Sequence, residues 1–211
     1  MTTVLLTGFE PFAGDPANPS GDAVRRVAAS WTGPAELVTA VLPVTFEGAA
    51  SGLDLLVEEH DPDVVVAAGL AGGRRTISVE RVAVNLVDAR IPDNAGVQPI
   101  DEPSLAGGPA AVFASLPVKA IVRAVAGAGI PCELSLSAGT FVCNHVFYRA
   151  ANWAAERGRR AGFVHVPWAT GQATRGEPEL RLADIARALT IAVRTTLAVT
   201  EDVRAAGGAL H

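Results

Sequence analysis

The sequence predicts an α/β domain in which helices cover a largely parallel sheet. Apolar runs of strand length alternate with amphipathic runs of helix length along the whole chain, the pattern of consecutive β–α units. Several strand candidates are continuous rather than alternating, as in DVVVAAG (63–69), which is the mark of a strand buried on both faces. Of 211 residues, 49% are hydrophobic but only 5% aromatic, so the core must be built from Val, Leu, Ile and Ala. That length suits one domain over residues 1–211, with no internal repeat and no linker to divide it.

TVLLTG (3–8) reads as the first buried strand, and a loop rich in Gly, Pro and Asn follows it. GDAVRRVAAS (21–30) reads as a helix with Ser20 as its N-cap. AELVTAVLPV (35–44) is the second strand, and residues 46–60 form a helix through the spacing of Leu53, Leu56 and Val57. After the strand 63–69, the stretch TISVERVAVNLVDARI (76–91) predicts a hairpin or one long bent strand. Residues 92–115 are rich in Pro and Gly and read as a long loop, a feature that is often functional in a compact domain. Residues 116–130 predict a helix with Ile121, Val122, Val125 and Ala126 on one face. Then follow a strand at 132–139, a helix at 144–158, a strand at 162–168 and a closing amphipathic helix at 179–199.

Charge and composition exclude several functions. The formal net charge is -5, and the one basic cluster, Arg157 to Arg160, is too small for a nucleic-acid footprint and reads as a solvated helix end. No apolar run approaches the roughly 20 residues that span a bilayer. The first residues lack a basic segment and a signal-type cleavage site, so the expected location is the cytoplasm, with reduced thiols. Two cysteines, Cys132 and Cys143, make neither a disulfide framework nor a metal cluster. No cofactor or metal is expected.

Chemistry concentrates around Cys143 in AGTFVCNHVFY (138–148). A helix starting at Asn144 would set the sulfur at the helix's positive end, where unpaired N–H groups favour a thiolate and can stabilise an oxyanion. The plain alternative is a small buried hydrophobe, which is the better reading for Cys132 at a strand start. A nucleophilic cysteine needs a base. His60 reads as a helix C-terminal cap, His211 is the last residue, and His145 would point to another face of the helix. His165, inside GFVHVPW, is either a satisfied core histidine or, at the C-terminal edge of a parallel sheet, a group facing the ligand crevice. Glu80 is the one acid in its apolar segment before Asp88. It either orients an imidazole or forms a surface ion pair with Arg75 or Arg81.

GLAGGR (69–74) matches neither a phosphate loop nor a dinucleotide fingerprint and reads as a tight turn allowing close backbone approach. GFEPFAGDPANPS (8–20) puts Phe9 and Phe12 into a loop of an aromatic-poor chain, as anchors or as walls of an apolar pocket.

Taken together, LLTGFEPFAGDPANPS, GLAGGR with ISVERVAVNLVDARIPDNAG, SAGTFVCNHVFY and GFVHVPW resemble the pyroglutamyl peptidase I family of cysteine peptidases, in family order and spacing across essentially the whole chain. The resemblance implies a three-layer α/β/α sandwich of the phosphorylase/hydrolase-like type, with a mixed, mostly parallel sheet. It implies a catalytic triad of Glu80, Cys143 and His165 that removes N-terminal pyroglutamate from peptide substrates, and assembly as a homotetramer. It suggests that Phe9, Phe12, Ile91, Phe141 and Val142 line a pocket for the pyroglutamyl ring. Asn18 would bond the ring carbonyl, the backbone of Leu70 would take the ring N–H, and Arg90 would lie near the nucleophile. Leu70, Val44 and Ser137 depart from the common family residues, and WATGQATRGEP (168–178) departs most, at the expected rim of the site. Two other classes compete: a phosphorylase of similar architecture using GLAGGR for phosphate, and a silent relative that binds pyroglutamyl ends. Full activity after thiol alkylation would favour the first. The second is disfavoured because Glu80, Cys143 and His165 are all present.

Overall fold

A computed structural model describes residues 1–208; His211 lies outside the described residues. In chain order the main elements are β1 (Thr3–Phe9), α1 (Pro19–Ser30), β2 (Glu36–Leu42), α2 (Phe46–His60) and β3 (Val64–Leu70). They continue through β4 (Ile77–Glu80), β5 (Val82–Val84), β6 (Ala111–Phe113), α3 (Val118–Gly127) and β7 (Cys132–Ser135). The last are α4 (Val142–Arg157), β8 (Arg160–Val166), β9 (Trp168–Ala169), β10 (Glu179–Leu180) and α5 (Leu182–Ala198).

Six strands form the central sheet in the order β2-β1-β3-β8-β4-β7. Every pairing is parallel except β4 with β8, which runs antiparallel and places Ser78 opposite His165. Period-two alternation then sorts the side chains into two cores. Val4, Leu6, Val64, Val66, Val79 and Val164 pack under α1, α3 and α5. Leu5, Val65, Ala67, Ala161 and Phe163 pack under α2 and α4. The result is the expected α/β/α layering. The β4 and β8 residues of the second parity, Glu80 and His165, therefore share the α2/α4 face with Cys143.

Most elements fall where the periodicity puts them, with α2 matching over its full length. Three regions differ for visible reasons. The stretch 76–91 is neither a hairpin nor one strand, because the chain leaves the central sheet at Arg81. The Arg81 N–H donates to the Ser135 carbonyl at 2.8 Å, while its own carbonyl accepts from Ala114 N–H at 2.9 Å. Beyond it, β5 pairs antiparallel with β6, a strand inside the 92–115 segment read as loop. The Pro and Gly content of that segment concealed a three-residue strand. Second, α1 starts at Pro19 with Asn18 as its N-cap, because proline suits the first helical position and the Asn18 Oδ1 accepts from Ser20 N–H at 3.1 Å. Third, the basic cluster is not merely solvated. Arg159 pairs with Asp61 and Asp63, and Arg160 starts β8 and donates to the carbonyls of Thr196 and Val199. No helix among the described residues is long and apolar enough to cross a membrane.

Candidate active site

The sheet order reverses at β1: the chain steps from β1 out to β2, then returns to place β3 on the other side. Ligands of open α/β sheets bind at such switch points, beyond the carboxyl ends of the strands. A cavity of about 340 Å³ opens there. Its floor is Phe9, at the end of β1, with Leu70 and Ala71 at the end of β3, and with His165 and Cys143. Phe12, Ala17 and Asn18 come from the loop after β1, and Ala138, Gly139 and Phe141 from the loop before α4. The volume is within the ordinary range for a small-ligand site.

Cys143 is the second residue of α4, two positions further into the helix than a start at Asn144 would give. Phe141, extended at φ -101° and ψ -165°, is the N-cap and supplies no side-chain cap to the first-turn N–H groups. The sulfur faces the end of β3 closely. An added Cβ on Gly69 would lie 2.7 Å from Cys143 Sγ and 2.8 Å from Phe163 Cζ, so only a glycine fits beside the thiol. GLAGGR thus provides the close backbone approach expected of it. Asn144, fully buried, anchors this first turn: its Oδ1 accepts from Val84 N–H at 3.1 Å, and its amide donates to the Val84 and Leu86 carbonyls. Nothing in the sequence pattern singled out Asn144.

His165 is 4% exposed and its Nδ1 lies 2.8 Å from Glu80 Oε1. Glu80 is fully buried. Its ion-pair partner is neither Arg75 nor Arg81 but Arg74, whose Nη1 donates to the same Oε1 at 2.6 Å. Burial raises the Glu80 carboxyl, but the hydrogen bond and charge of His165, then a polar contact with Ser135 and the charge of Arg74, outweigh that and hold it below its usual value. Burial lowers the His165 imidazole, and Glu80 only partly opposes the effect. Burial pushes the Cys143 thiol up to about 12; the Glu80 charge adds to the rise and Arg74 opposes it. The resting site is therefore a carboxylate, a neutral imidazole and a thiol, with the imidazole anchored at Nδ1 and its Nε2 left to exchange a proton.

Other expected pocket residues are placed as follows. Phe9, Phe12, Asn18, Leu70 and Phe141 line the cavity, as does Val44, whereas Arg90, Ile91 and Val142 do not. Val142 is 1% exposed because its position in α4 turns it into the core beneath, with Val146 and Phe147. Ile91 lies 47% exposed on the segment after β5, and Arg90 is exposed beside it. Phe12 and Phe141 touch directly, with ring centroids 5.3 Å apart, and Phe46 meets Phe141 edge-on at 5.1 Å. Phe12 and Phe141 thus stand side by side in the cavity wall, with no room for a ligand ring between them. Asn18 donates one amide N–H to the Glu10 carbonyl at 2.8 Å, which leaves its second N–H for a ligand. Arg74 and Asp15 also line the cavity, although the sequence reading assigned neither to the site.

His145 is buried against Phe46, away from the Glu80–His165 pair, and burial, with the nearby Arg149 cation, lowers it to about 4. His60 closes α2 as expected. Cys132 packs against the core under α3 and α5. Among the described residues no group of three or more His, Cys, Asp or Glu is placed to hold a metal.

The sequence model of the pyroglutamyl peptidase family matches residues 2–199. The chain is 52% identical to the pyrrolidone-carboxylate peptidase of Clavibacter michiganensis and 50% identical to that of Erwinia tasmaniensis, in each case over the full length of both proteins. Its structure superposes on the crystal structure of Bacillus amyloliquefaciens pyroglutamyl peptidase I with a TM-score of 0.92, at 43% identity over 96% of this chain and all of that one. It is likewise similar to the pyrrolidone carboxyl peptidase of Thermococcus litoralis, with a TM-score of 0.93 at 38% identity, over 98% of this chain and all of the other.

Proposed function

The chain belongs to the pyroglutamyl peptidase family, and we propose that it removes an N-terminal pyroglutamyl residue from peptides through a thioester on Cys143. The observation that carries this reading is that His165, which with Cys143 lines a largely apolar cavity, is bonded through Nδ1 to a fully buried Glu80 behind it.

His165 Nε2 takes the Cys143 proton as the sulfur attacks the pyroglutamyl carbonyl carbon. A thiol held up near 12 makes little free thiolate at neutral pH, so proton transfer accompanies attack. Glu80 stabilises the imidazolium formed in that step. The first-turn N–H groups of α4, without a side-chain cap, face the developing oxyanion. His165 then donates its proton to the departing amine as the C–N bond breaks, leaving the thioester. Next it takes a proton from water, whose oxygen attacks the thioester carbonyl, and the thiol and free pyroglutamate are released. Positioned acid–base help of this kind contributes roughly 10²–10⁴-fold.

Selectivity follows from the ring. A pyroglutamyl end has no ammonium, only a lactam N–H and C=O on a small apolar frame. The wall of Phe12 and Phe141 would pack its face, the spare Asn18 N–H would donate to the ring carbonyl, and the Leu70 carbonyl would accept from the ring N–H. A prolyl end would bury a charge and leave the Asn18 donor unpaired, the kind of mismatch that sites reject by roughly 10⁴–10⁵-fold. The side chain of Leu70 does not enter this scheme, so its departure from the common family residue leaves recognition intact. We place the enzyme in the cytoplasm, consistent with two free cysteines, and as a homotetramer, whose contacts would have exposed apolar side chains such as Phe113 and Leu136 to cover.

The test is a chromogenic pyroglutamyl amide in reducing buffer. Wild-type protein is expected to release the chromophore and Cys143→Ser to release none; silence from the wild type would overturn the reading.

A further inference from the structure

We propose that Arg74 is a positioning residue of this site, holding Glu80 and His165 in register by bridging the carboxylate to the loop that delivers the nucleophile. The inference rests on the reading of Glu80, His165 and Cys143 given above.

Arg74 comes from the turn after β3 and uses both ends of its guanidinium fork. Nη1 donates to Glu80 Oε1 at 2.6 Å, the oxygen that His165 Nδ1 also contacts at 2.8 Å. Nη2 donates to the Ser137 carbonyl at 2.8 Å, in the loop that leads into α4 and Cys143. The turn itself is fixed at both sides: Arg74 N–H donates to the Ala71 carbonyl at 3.0 Å, and Ala71 N–H to the carbonyl of Val166, next to His165, at 2.9 Å. One planar cation therefore ties together the strands or loops bearing all three reacting groups. A rigid two-pronged donor can do this and a point charge cannot. The whole Glu80 side chain is out of water and its Oε2 has no hydrogen-bond partner, so the contacts of Arg74 and His165 at Oε1 carry the compensation of its buried charge.

Charge works in the same direction as geometry. A cation at this position favours the carboxylate on Glu80, the neutral form of His165 and the thiolate of Cys143. Its removal raises the protonation midpoint of both Glu80 and His165. Whichever group limits activity at low pH, the acid limb of the profile must move upward.

The experiment is the pH profile of kcat/KM on a pyroglutamyl amide for wild type, Arg74→Ala and Arg74→Lys, with thermal melting as the control for folding. Arg74→Ala is expected to lower kcat at pH 6–7 by about tenfold or more, with KM changed by less than about threefold, and to move the acid limb up by about half a pH unit or more. Arg74→Lys is expected to restore the limb but not full kcat, since an ammonium replaces the charge and not the bridge. In a Glu80→Gln background, Arg74→Ala is expected to slow Cys143 alkylation by iodoacetamide less than it does in the wild type, because the partner it acts through is already neutral. An unmoved acid limb in a folded Arg74→Ala, or equal slowing in both backgrounds, overturns the inference while leaving an active wild type and its thioester mechanism untouched. An inactive wild type would instead sink the reading beneath it.

Discussion

Gly69 shows how tightly single atoms are specified around the thiol. Its backbone forms the last part of β3, and a methyl group there would press on both Cys143 Sγ and the Phe163 ring. The sulfur can yield only by leaving its place beside Gly69 in the cavity that His165 also lines, and Phe163 is fully buried and cannot yield. Gly69→Ala is therefore expected to cut kcat/KM by at least about tenfold and to cost about 1–3 kcal/mol in urea unfolding. A variant with wild-type turnover would show that the sulfur has slack. Glu80 in ISVE, Cys143 before an apolar helix and His165 in GFVHV each drew notice as a reactive group in apolar surroundings, but the local pattern fitted an ion pair, a buried thiol and a core histidine as well, and the family resemblance made the choice. Arg74 did not stand out, since in GLAGGRRT it is one of two adjacent arginines on a glycine turn. Only the fold decides which of the two points inward. Val142 and Ile91 entered the expected pocket through the family resemblance alone; in this chain Val142 turns into the core and Ile91 lies at the surface, and neither lines the cavity.

At the scale of elements, strands and long helices were legible because burial repeats along them at period two or 3.6. Their ends were less so, since ends are set by partners distant in sequence. α3 illustrates this. Its N-cap is Pro117, which has no side-chain acceptor, and the missing cap arrives from beyond α5: the carboxylate of Asp202 accepts from Lys119 N–H at 3.0 Å and from Ala120 N–H at 2.9 Å. An anion at a helix N-terminus also meets the favourable end of the dipole. Asp202→Ala is thus expected to destabilise the fold by about 1 kcal/mol, read as a lower urea midpoint, with kcat/KM unchanged because α3 lies across the sheet from the cavity. A loss of activity without a loss of stability would contradict this assignment. The small β5–β6 sheet was hidden for a related reason: three residues are too few to show a period, and their pairing depends on Arg81 turning the chain out of the central sheet.

For the whole molecule, the same burial that sets up the chemistry fixes how stability responds to acid. His145 folds into an apolar setting beside Phe46, with its Nδ1 unpartnered, and titrates near 4 in the folded state against 6.5 in a solvated chain. Above pH 6.5 it is neutral in both states and contributes no pH dependence. Between about 6.5 and about 4 the unfolded chain binds the proton and the folded one does not, so stability must fall as pH drops through that window, by on the order of 3 kcal/mol at its foot. His165, also lowered by burial, adds to the same slope. Glu80, held below its usual value, adds to it further down, where the unfolded carboxyl begins to protonate. Urea midpoints at fixed protein concentration are expected to be flat from pH 8 to 6.5 and to decline steadily towards 4.5. His145→Leu, which removes one of the contributing groups without touching the Glu80–His165 pair, is expected to make that decline shallower. An equal slope in wild type and variant would mean that His145 is protonated within the fold, which its place among Phe46 and the α4 core does not allow without rearrangement.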